Sequence, residues 1–258
     1  GSEELAIVDP RDHETYSQGH LLWAASLRCE DALEAAKVLL PRYSVPIVVA
    51  GDEPEEAGSL QTVLKENGWT NVKVLEGGIK SWIGAGYELY SGVNVPSKLF
   101  GELVERHYGT PHVKAEQLDG WIAEERPLII LDSRTEREFN RMSIPTGRSC
   151  PGGELVYRVF DLLDPTVTVV VNCAGRTRSI LGAESLVRAG IPNPVVALEN
   201  GTMGWELAGL ALEHGSKDVA SVPSGIGQQK ASAAALQVAR RFDVKRIDKR
   251  TVDKWKFD

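Results

Sequence analysis

The sequence predicts an α/β protein of two tandem, doubly wound domains, each a parallel sheet flanked by helices. Short runs of β-branched residues alternate with segments of helical periodicity, which is typical of parallel sheets covered on both faces. The landmarks of the first half return in the second half at one fixed offset. The chain has 258 residues, 42% of them hydrophobic and 25% charged, which suits a globular protein of two ordinary domains.

An internal repeat defines the two domains. The segment Leu5–Arg11 returns as Leu128–Arg134, and the segment Leu75–Trp82 returns as Leu198–Trp205, with an offset of 123 residues in both cases. A repeat unit of this length is a domain, and not the short unit of a solenoid.

The first domain is predicted over residues 1–94. Pro41 and Gly68 act as stop signals after its two longer helices. The expected strands are 7–8, 46–50 and 72–75, and the expected helices are 30–40, 60–67 and a short one around Trp82.

The second domain is predicted over residues 95–216 and repeats this plan after a connecting helix at 97–107. Residues 217–258 are predicted to be a linker and the start of a third unit. The basis is that Lys245–Trp255 resembles Val113–Trp121, the lead-in to the second domain. A plain C-terminal helix is the alternative.

The chemistry is predicted at Cys173. A β-branched run from Thr166 to Val171 indicates a strand, Ser179 is a suitable helix N-cap, and helical periodicity follows it. Cys173 is therefore expected at the carboxyl end of a strand, facing a helix N-terminus, where open α/β sheets bind ligands.

The surroundings of Cys173 are predicted to favour an anion. Successive loop N–H groups form a nest, the helix N-terminus adds partial positive charge, and Arg176 and Arg178 add full charges. Together they favour the nucleophilic thiolate. A buried structural cysteine is the alternative.

Composition excludes several other classes. The net charge is −7 and the pI about 5.4, so a basic loop indicates a local anion site and not a nucleic-acid surface. No apolar run is long enough for a membrane helix.

Three cysteines do not form a disulfide framework and indicate a reducing compartment, which we take to be the cytoplasm. The five histidines lack metal-ligand spacing. Gly1-Ser2 is typical of a cloning remnant, so the absence of a signal peptide carries no conclusion.

The repeat allows the two loops to be compared. The position of Cys173 is Ala50 in the first domain, and the positions of Arg176 and Arg178 are Glu53 and Glu55. An acidic loop without a thiol predicts a catalytically silent structural domain. A regulatory or docking role is the alternative.

Three motifs together resemble the rhodanese-type sulfurtransferases. They are Asp132-Ser133-Arg134 after a strand, the loop Cys173–Arg178, and the late segment Gly201–Trp205. The resemblance implies two tandem rhodanese-like domains, of which the second is catalytic, and possible further rhodanese units in a longer chain.

The resemblance also implies sulfur transfer from a small anionic donor such as thiosulfate to a thiophilic acceptor such as cyanide or a thiol. Cys173 would carry a persulfide and no cofactor or metal would be needed. The residues expected to bind the substrate are Ala174, Gly175, Arg176, Thr177, Arg178 and Ser179, with the two arginines on the sulfonate end of the donor.

Alternative functions remain open. A mercaptopyruvate donor is possible, although loops of that class usually read Cys-Gly-x-Gly-x-Thr. A phosphatase of this fold uses Cys-x5-Arg, whereas Arg178 gives Cys-x4-Arg. A persulfide relay or a binding module would use the same loop without turnover of small donors.

Other residues have weaker signals. Asp132 and Arg134 are predicted to form a structural ion pair or turn cap, and Trp205 to pack in the core. Thr202 and Met203 are candidates for the mouth of the pocket. Cys150 is a candidate resolving thiol, with ordinary burial as the alternative.

Overall fold

The structure is a computed structural model that describes residues 4–255. The chain divides into two compact units. The first comprises residues 4–96 and 247–255, and the second comprises residues 97–246. The observed boundaries lie close to the first predicted boundary, after residue 94, and far from the second, after residue 216.

The first unit is a four-stranded parallel sheet with helices. Its elements are β1 (Ala6–Asp9), α1 (His13–Gln18), β2 (Ala24–Ser26), α2 (Ala32–Leu39), β3 (Ile47–Val49), α3 (Pro54–Glu66), β4 (Val72–Val74) and α4 (Gly78–Gly84). The strands lie in the order β2-β1-β3-β4.

The second unit repeats this sheet and adds an edge strand. Its elements are α5 (Val95–Tyr108), β5 (His112–Val113), α6 (Ala115–Ala123), β6 (Leu128–Asp132), α7 (Glu136–Arg141), β7 (Arg148–Ser149), α8 (Leu155–Arg158), β8 (Thr168–Asn172), α9 (Thr177–Arg188), β9 (Val195–Leu198), α10 (Gly201–Leu207) and α11 (Gly225–Arg241). The five strands are parallel in the order β5-β9-β8-β6-β7.

The offset of 123 residues holds in three dimensions. Helices α1 and α7 start and end at equivalent positions, as do α4 and α10. The order β2-β1-β3-β4 becomes β7-β6-β8-β9. The predicted fold class and the predicted duplication are therefore confirmed.

The central strand β8 shows why helices cover both faces of the second sheet. Val169 and Val171 pack in one core with Ile180 of α9, whereas Val170 packs in another core with Trp205 of α10. Successive side chains of a strand point to opposite faces, so a strand that is apolar throughout needs two partners.

Two helices begin earlier than the sequence predicted. Helix α9 begins at Thr177 with Arg176 as its N-cap, and Ser179 lies inside the first turn. The predicted N-cap at Ser179 is therefore wrong. Helix α3 begins at Pro54, because proline is favoured in the first turn, where its missing N–H costs no hydrogen bond.

Helix α11 packs on the second unit, in a region predicted to be a linker. Ala231 and Ala234 on one side of this helix are buried. A Cβ on Gly227 would lie 2.5 Å from the carboxylate of Asp161, so α11 approaches the turn at Val159–Asp161 very closely. Residues 217–246 therefore belong to the second unit.

The last helix, α12 (Lys249–Trp255), belongs to the first unit. Its first residue and its tryptophan have the same spacing as Ala115 and Trp121 of α6. A third unit stays a prediction. Within residues 4–255, no helix combines the length and the apolar character needed to span a bilayer.

Candidate active site

Cys173 lies at the carboxyl end of β8, where a short loop leads into α9. The chain leaves neighbouring strands in opposite directions here: β6 is followed by β7 on one side, and β8 is followed by β9 on the other. Ligands of open α/β sheets bind at such switch points. The predicted placement of Cys173 is confirmed.

The Cys173 sulfur has a hydroxyl partner. Cys173 is 1% exposed, and its Sγ lies 3.6 Å from Oγ of Ser179. The Ser179 hydroxyl donates to the carbonyl oxygen of Arg176 at 2.8 Å and can then accept from the thiol. If the hydroxyl rotates, it can donate to the sulfur. Ser179 therefore contacts the Cys173 sulfur and does not act as a helix cap.

The N–H groups of residues 174–179 form a row of free donors next to Cys173. Within the part of the chain that the structure describes, none of these six N–H groups donates to a protein acceptor. The first N–H groups of a helix lack intrahelical partners and attract anions. The predicted row of backbone donors is therefore present, and the binding of an anion by it stays a prediction.

Residues at the start of α10 donate hydrogen bonds to carbonyl oxygens of this loop. Thr202 donates to the carbonyl oxygen of Cys173 from its N–H at 2.8 Å and from its Oγ1 at 3.1 Å. The Met203 N–H donates to the carbonyl oxygen of Ala174 at 3.0 Å. A trans peptide points its N–H away from its C=O. The N–H groups of Ala174 and Gly175 therefore point away from α10.

Gly201 permits this contact between α10 and the loop. Its φ is +54°, and a Cβ there would overlap the carbonyl oxygen of Cys173 and lie 2.8 Å from that of Gly175. Glycine has no Cβ and tolerates positive φ. A glycine is therefore required at position 201, because it lets the backbone of α10 approach the backbone of the Cys173 loop.

Arg176 is bound by two carboxylates of α5. Its Nε donates to Oε1 of Glu102 at 2.6 Å, and its Nη2 pairs with Glu105. These partners raise the pKa of Arg176, with the Glu102 hydrogen bond as the largest cause. The Arg176 side chain is therefore held beside the loop by Glu102 and Glu105.

Arg178 is bound by Glu138 of α7. Its Nη1 and Nη2 donate to the two carboxylate oxygens at 3.0 and 2.7 Å, a bidentate pair. The hydrogen bond from Arg178 is the main cause that lowers the pKa of Glu138 to about 2. Both loop arginines thus bind carboxylates of the protein, and their predicted contact with a sulfonate stays a prediction.

A buried ion pair supports the loop, because it binds the residue that precedes Cys173. Arg134 binds Asp132 through Nε at 2.8 Å and through Nη2 at 2.8 Å, and both residues are almost fully buried. Asn172, which precedes Cys173, donates to Asp132 at 2.7 Å and to Oγ1 of Thr202 at 3.0 Å. The predicted ion pair of Asp132 with Arg134 is confirmed.

The burial of the remaining candidate residues distinguishes their roles. Cys150 is fully buried, and burial raises the pKa of its thiol to about 12, so ordinary burial is confirmed and a resolving role is not supported. Trp205 packs in the core as predicted. Thr202 is buried against the loop, whereas Met203 is 60% exposed. In the described residues, His, Cys, Asp and Glu side chains form no cluster that could bind a metal ion.

Comparison with known families decides the classification. The family model of the rhodanese-like domain matches residues 1–85 and 114–208. The chain belongs to the rhodanese-like domain family. The second match contains the Cys173 loop, and the first contains the equivalent loop with Ala50 in place of the cysteine.

A solved structure agrees with this family. The crystal structure of a thiosulfate sulfurtransferase from Pseudomonas aeruginosa is 43% identical, covers 99% of this chain and has a TM-score of 0.95. The present chain spans 49% of that protein, about half its length. The crystal structure of the Alr3790 protein from Anabaena sp. is 29% identical over 36% of this chain and 82% of its own, with a TM-score of 0.35. A comparison with curated proteins found no match.

The first rhodanese unit has a different loop at the equivalent place. Asp52 of that loop accepts from Nη1 of Arg11 at 3.0 Å, and Glu53 pairs with Lys80 at 3.2 Å. Glu56 replaces Ser179, and burial raises the pKa of its carboxyl group. This loop has Ala50 where the second rhodanese unit has a thiol, and carboxylates where it has a hydroxyl and two cations.

Several residues of the second rhodanese unit were missed by sequence reasoning. The main ones are Glu102, Glu105, Glu138, Asn172 and Gly101. A Cβ on Gly101 would lie 2.9 Å from Cγ2 of Thr177, so α5 approaches the start of α9 closely. The pattern Thr135-x-x-Glu138 is a capping-box signal that could have been read from the sequence. The α5 carboxylates had no such signal.

Proposed function

We propose that the second rhodanese unit is a sulfurtransferase that moves the sulfane sulfur of thiosulfate to a thiophilic acceptor through a Cys173 persulfide. The observation that carries the proposal is the row of six free N–H groups beside the buried Cys173 sulfur. The Pseudomonas aeruginosa relative is a thiosulfate sulfurtransferase, which supports the choice of donor.

In the first step the Cys173 thiolate attacks the outer sulfur of thiosulfate. A bond forms between Sγ and that sulfur, the S–S bond of the donor breaks, and sulfite leaves with the bonding electron pair. The terminal sulfur of the persulfide carries the negative charge. The N–H groups of residues 174–179 are suited to stabilise it by hydrogen bonds.

In the second step the acceptor attacks the terminal sulfur. Cyanide forms thiocyanate, or a thiolate forms a new persulfide, and the Cys173 thiolate is released. Ser179 can donate a hydrogen bond to this thiolate and so hold the sulfur in place between one turnover and the next. No electron is lost or gained over the cycle, and the route uses no cofactor.

Intact-protein mass spectrometry after brief incubation with thiosulfate tests this proposal. Cys173→Ser is the test variant, and Cys150→Ser is the matched control because it removes the other cysteine of the same unit. We expect the parent and Cys150→Ser to gain one sulfur that cyanide removes, and Cys173→Ser to gain none.

The other outcomes distinguish the alternatives. Loading by mercaptopyruvate but not by thiosulfate would replace the donor. Loading without discharge to cyanide, but with discharge to a protein thiol, would indicate a persulfide relay. A parent chain that no donor loads would contradict sulfur transfer and leave a binding module.

A further inference from the structure

We propose that Glu138 sets the preference of the site for donor charge, because it neutralises Arg178 and reduces the advantage of a dianionic donor over a monoanionic one. This inference rests on the proposed function, since it concerns the donor that binds at Cys173. It assigns to Glu138 a specificity-determining role that no part of the loop sequence indicates.

The first support is the position of Arg178. Its two terminal nitrogens both donate to the carboxylate of Glu138 in a bidentate pair. The pKa of Arg178 is raised by Glu138 first, and smaller contributions come from the charges of Cys173 and Asp132. Arg178 is the fifth residue after Cys173, and its guanidinium is held by a carboxylate.

The second support is that Glu138 is held in place by its own helix. Its Oε2 accepts from the N–H of Thr135 at 3.1 Å and from its Oγ1 at 2.9 Å, which forms the capping box of α7. A surface carboxylate without such anchors would move aside when a competing anion arrives. This one is anchored at the helix start, so it competes with the donor for Arg178.

The third support is the charge count around the loop. The two guanidinium groups of Arg176 and Arg178 pair with three carboxylates, Glu102, Glu105 and Glu138. Two positive and three negative charges sum to −1. The full charges beside the loop therefore give a dianion no net attraction beyond that of a monoanion, and the backbone N–H groups supply the binding.

The capping box provides a clean variant. Because Gln serves as well as Glu at this position of the motif, Glu138→Gln keeps the helix cap and removes the charge. Glu136→Gln is the matched control. It removes one negative charge from the same first turn of α7, and Glu136 forms no ion pair within residues 4–255.

The experiment compares two donors with a terminal sulfane sulfur. Thiosulfate carries two negative charges, and methanethiosulfonate carries one and releases methanesulfinate when Cys173 attacks. We expect Glu138→Gln to raise the ratio of kcat/KM for thiosulfate over methanethiosulfonate by roughly three- to ten-fold, the size of one partly exposed charge contact. The change should appear in KM and shrink with added salt, and Glu136→Gln should leave the ratio unchanged.

A second readout needs no sulfur transfer. Sulfate and methanesulfonate are matched anions with two charges and one, and each can protect Cys173 from alkylation by iodoacetamide. In Glu138→Gln we expect the protection by sulfate to improve relative to methanesulfonate by a similar factor.

The outcomes separate this inference from the proposed function. If neither donor loads Cys173 but the protection ratio shifts, sulfur transfer is wrong and the role of Glu138 stands. If Cys173 loads but both ratios are the same in the parent and Glu138→Gln, the role of Glu138 is wrong. An equal fall in kcat/KM for both donors would also overturn it, because that result shows support of the loop without charge selection.

Discussion

The loop after β3 and the loop after β8 occupy the same place in two copies of one sheet. Both are followed by a helix whose start is equivalent, at Pro54 and Thr177. Both face a glycine with positive φ, Gly78 at +58° and Gly201 at +54°. The backbone frame is thus shared, although the chemistry of the two loops is opposite.

The two loops differ in side chains on which their shared backbone structure does not depend. The ion pair of Asp9 with Arg11 matches that of Asp132 with Arg134, and both arginines donate to a carbonyl eight residues downstream, at Gly19 and at Met142. A rhodanese fold therefore survives without its thiol, because the residues that hold the fold lie beneath the loop. Function belongs to the loop and its partners.

The largest expected effect tests whether a cysteine at the equivalent position of the first unit can replace Cys173 in sulfur transfer. Cys173→Ser should lower sulfur transfer by at least about a thousand-fold, because the nucleophile is removed. Adding Ala50→Cys to that variant should restore nothing, since Glu53 and Glu55 repel an anionic donor. Mass spectrometry after thiosulfate checks both. Sulfur on the introduced thiol would show that the loop charges are unimportant.

The second prediction compares the two buried ion pairs. Asp132→Ala should cost about 3–5 kcal/mol of unfolding free energy, because it leaves the buried Arg134 without its carboxylate partner. Asp9→Ala should cost less, because Arg11 keeps its contact with Asp52. Urea unfolding measures this cost. Asp132→Ala should also slow the loading of Cys173, since Asp132 holds Asn172. Equal loading rates in both variants would contradict the link from Asp132 to the site.

The third prediction compares two glycines. Gly78→Ala and Gly201→Ala should each destabilise the chain by about 1–3 kcal/mol, since both positions have positive φ and a Cβ would overlap a loop carbonyl. Thermal unfolding checks the shared loss. Loading of Cys173 should fall in Gly201→Ala alone. A loss of loading in Gly78→Ala would mean that the first loop supports catalysis.

The smallest expected effect concerns Glu138 and pH. Its pKa is lowered from 4.5 to about 2, so its contact with Arg178 contributes stability that is present above pH 4.5 and lost as the pH falls towards 2. Glu138 is 38% exposed and solvent screens the pair, so we expect less than about 1 kcal/mol. Urea unfolding of the parent and Glu138→Gln from pH 6 to pH 2 measures it. A difference that grows towards acid pH would contradict this sign.

Much of the molecule could be predicted from local signals. The repeat offset, the parallel sheets, Cys173 at a strand end and the buried Asp132–Arg134 pair all depend on residues near one another in the chain. The predicted N-cap at Ser179 failed because a serine two residues inside a helix start looks like a cap. Its hydroxyl is instead used by the Cys173 sulfur.

The linker prediction failed for a related reason. Helix α11 is rich in glycine and alanine, and its close approach depends on the small residues Gly227, Ala231 and Ala234. Small residues give a weak hydrophobic signal, although they allow helices to pack closely.

The sequence by itself determined the duplication, the order of strands and helices, and the single cysteine that stands at a strand end beside two arginines. These follow from periodicity and from comparison of the two copies. The tertiary structure alone decided what the arginines do. Glu102 and Glu105 lie more than 70 residues before Arg176 in the chain, and Glu138 lies 40 residues before Arg178. Charges so far apart in sequence have no fixed distance until the helices pack, and their electrostatic effect depends on that distance.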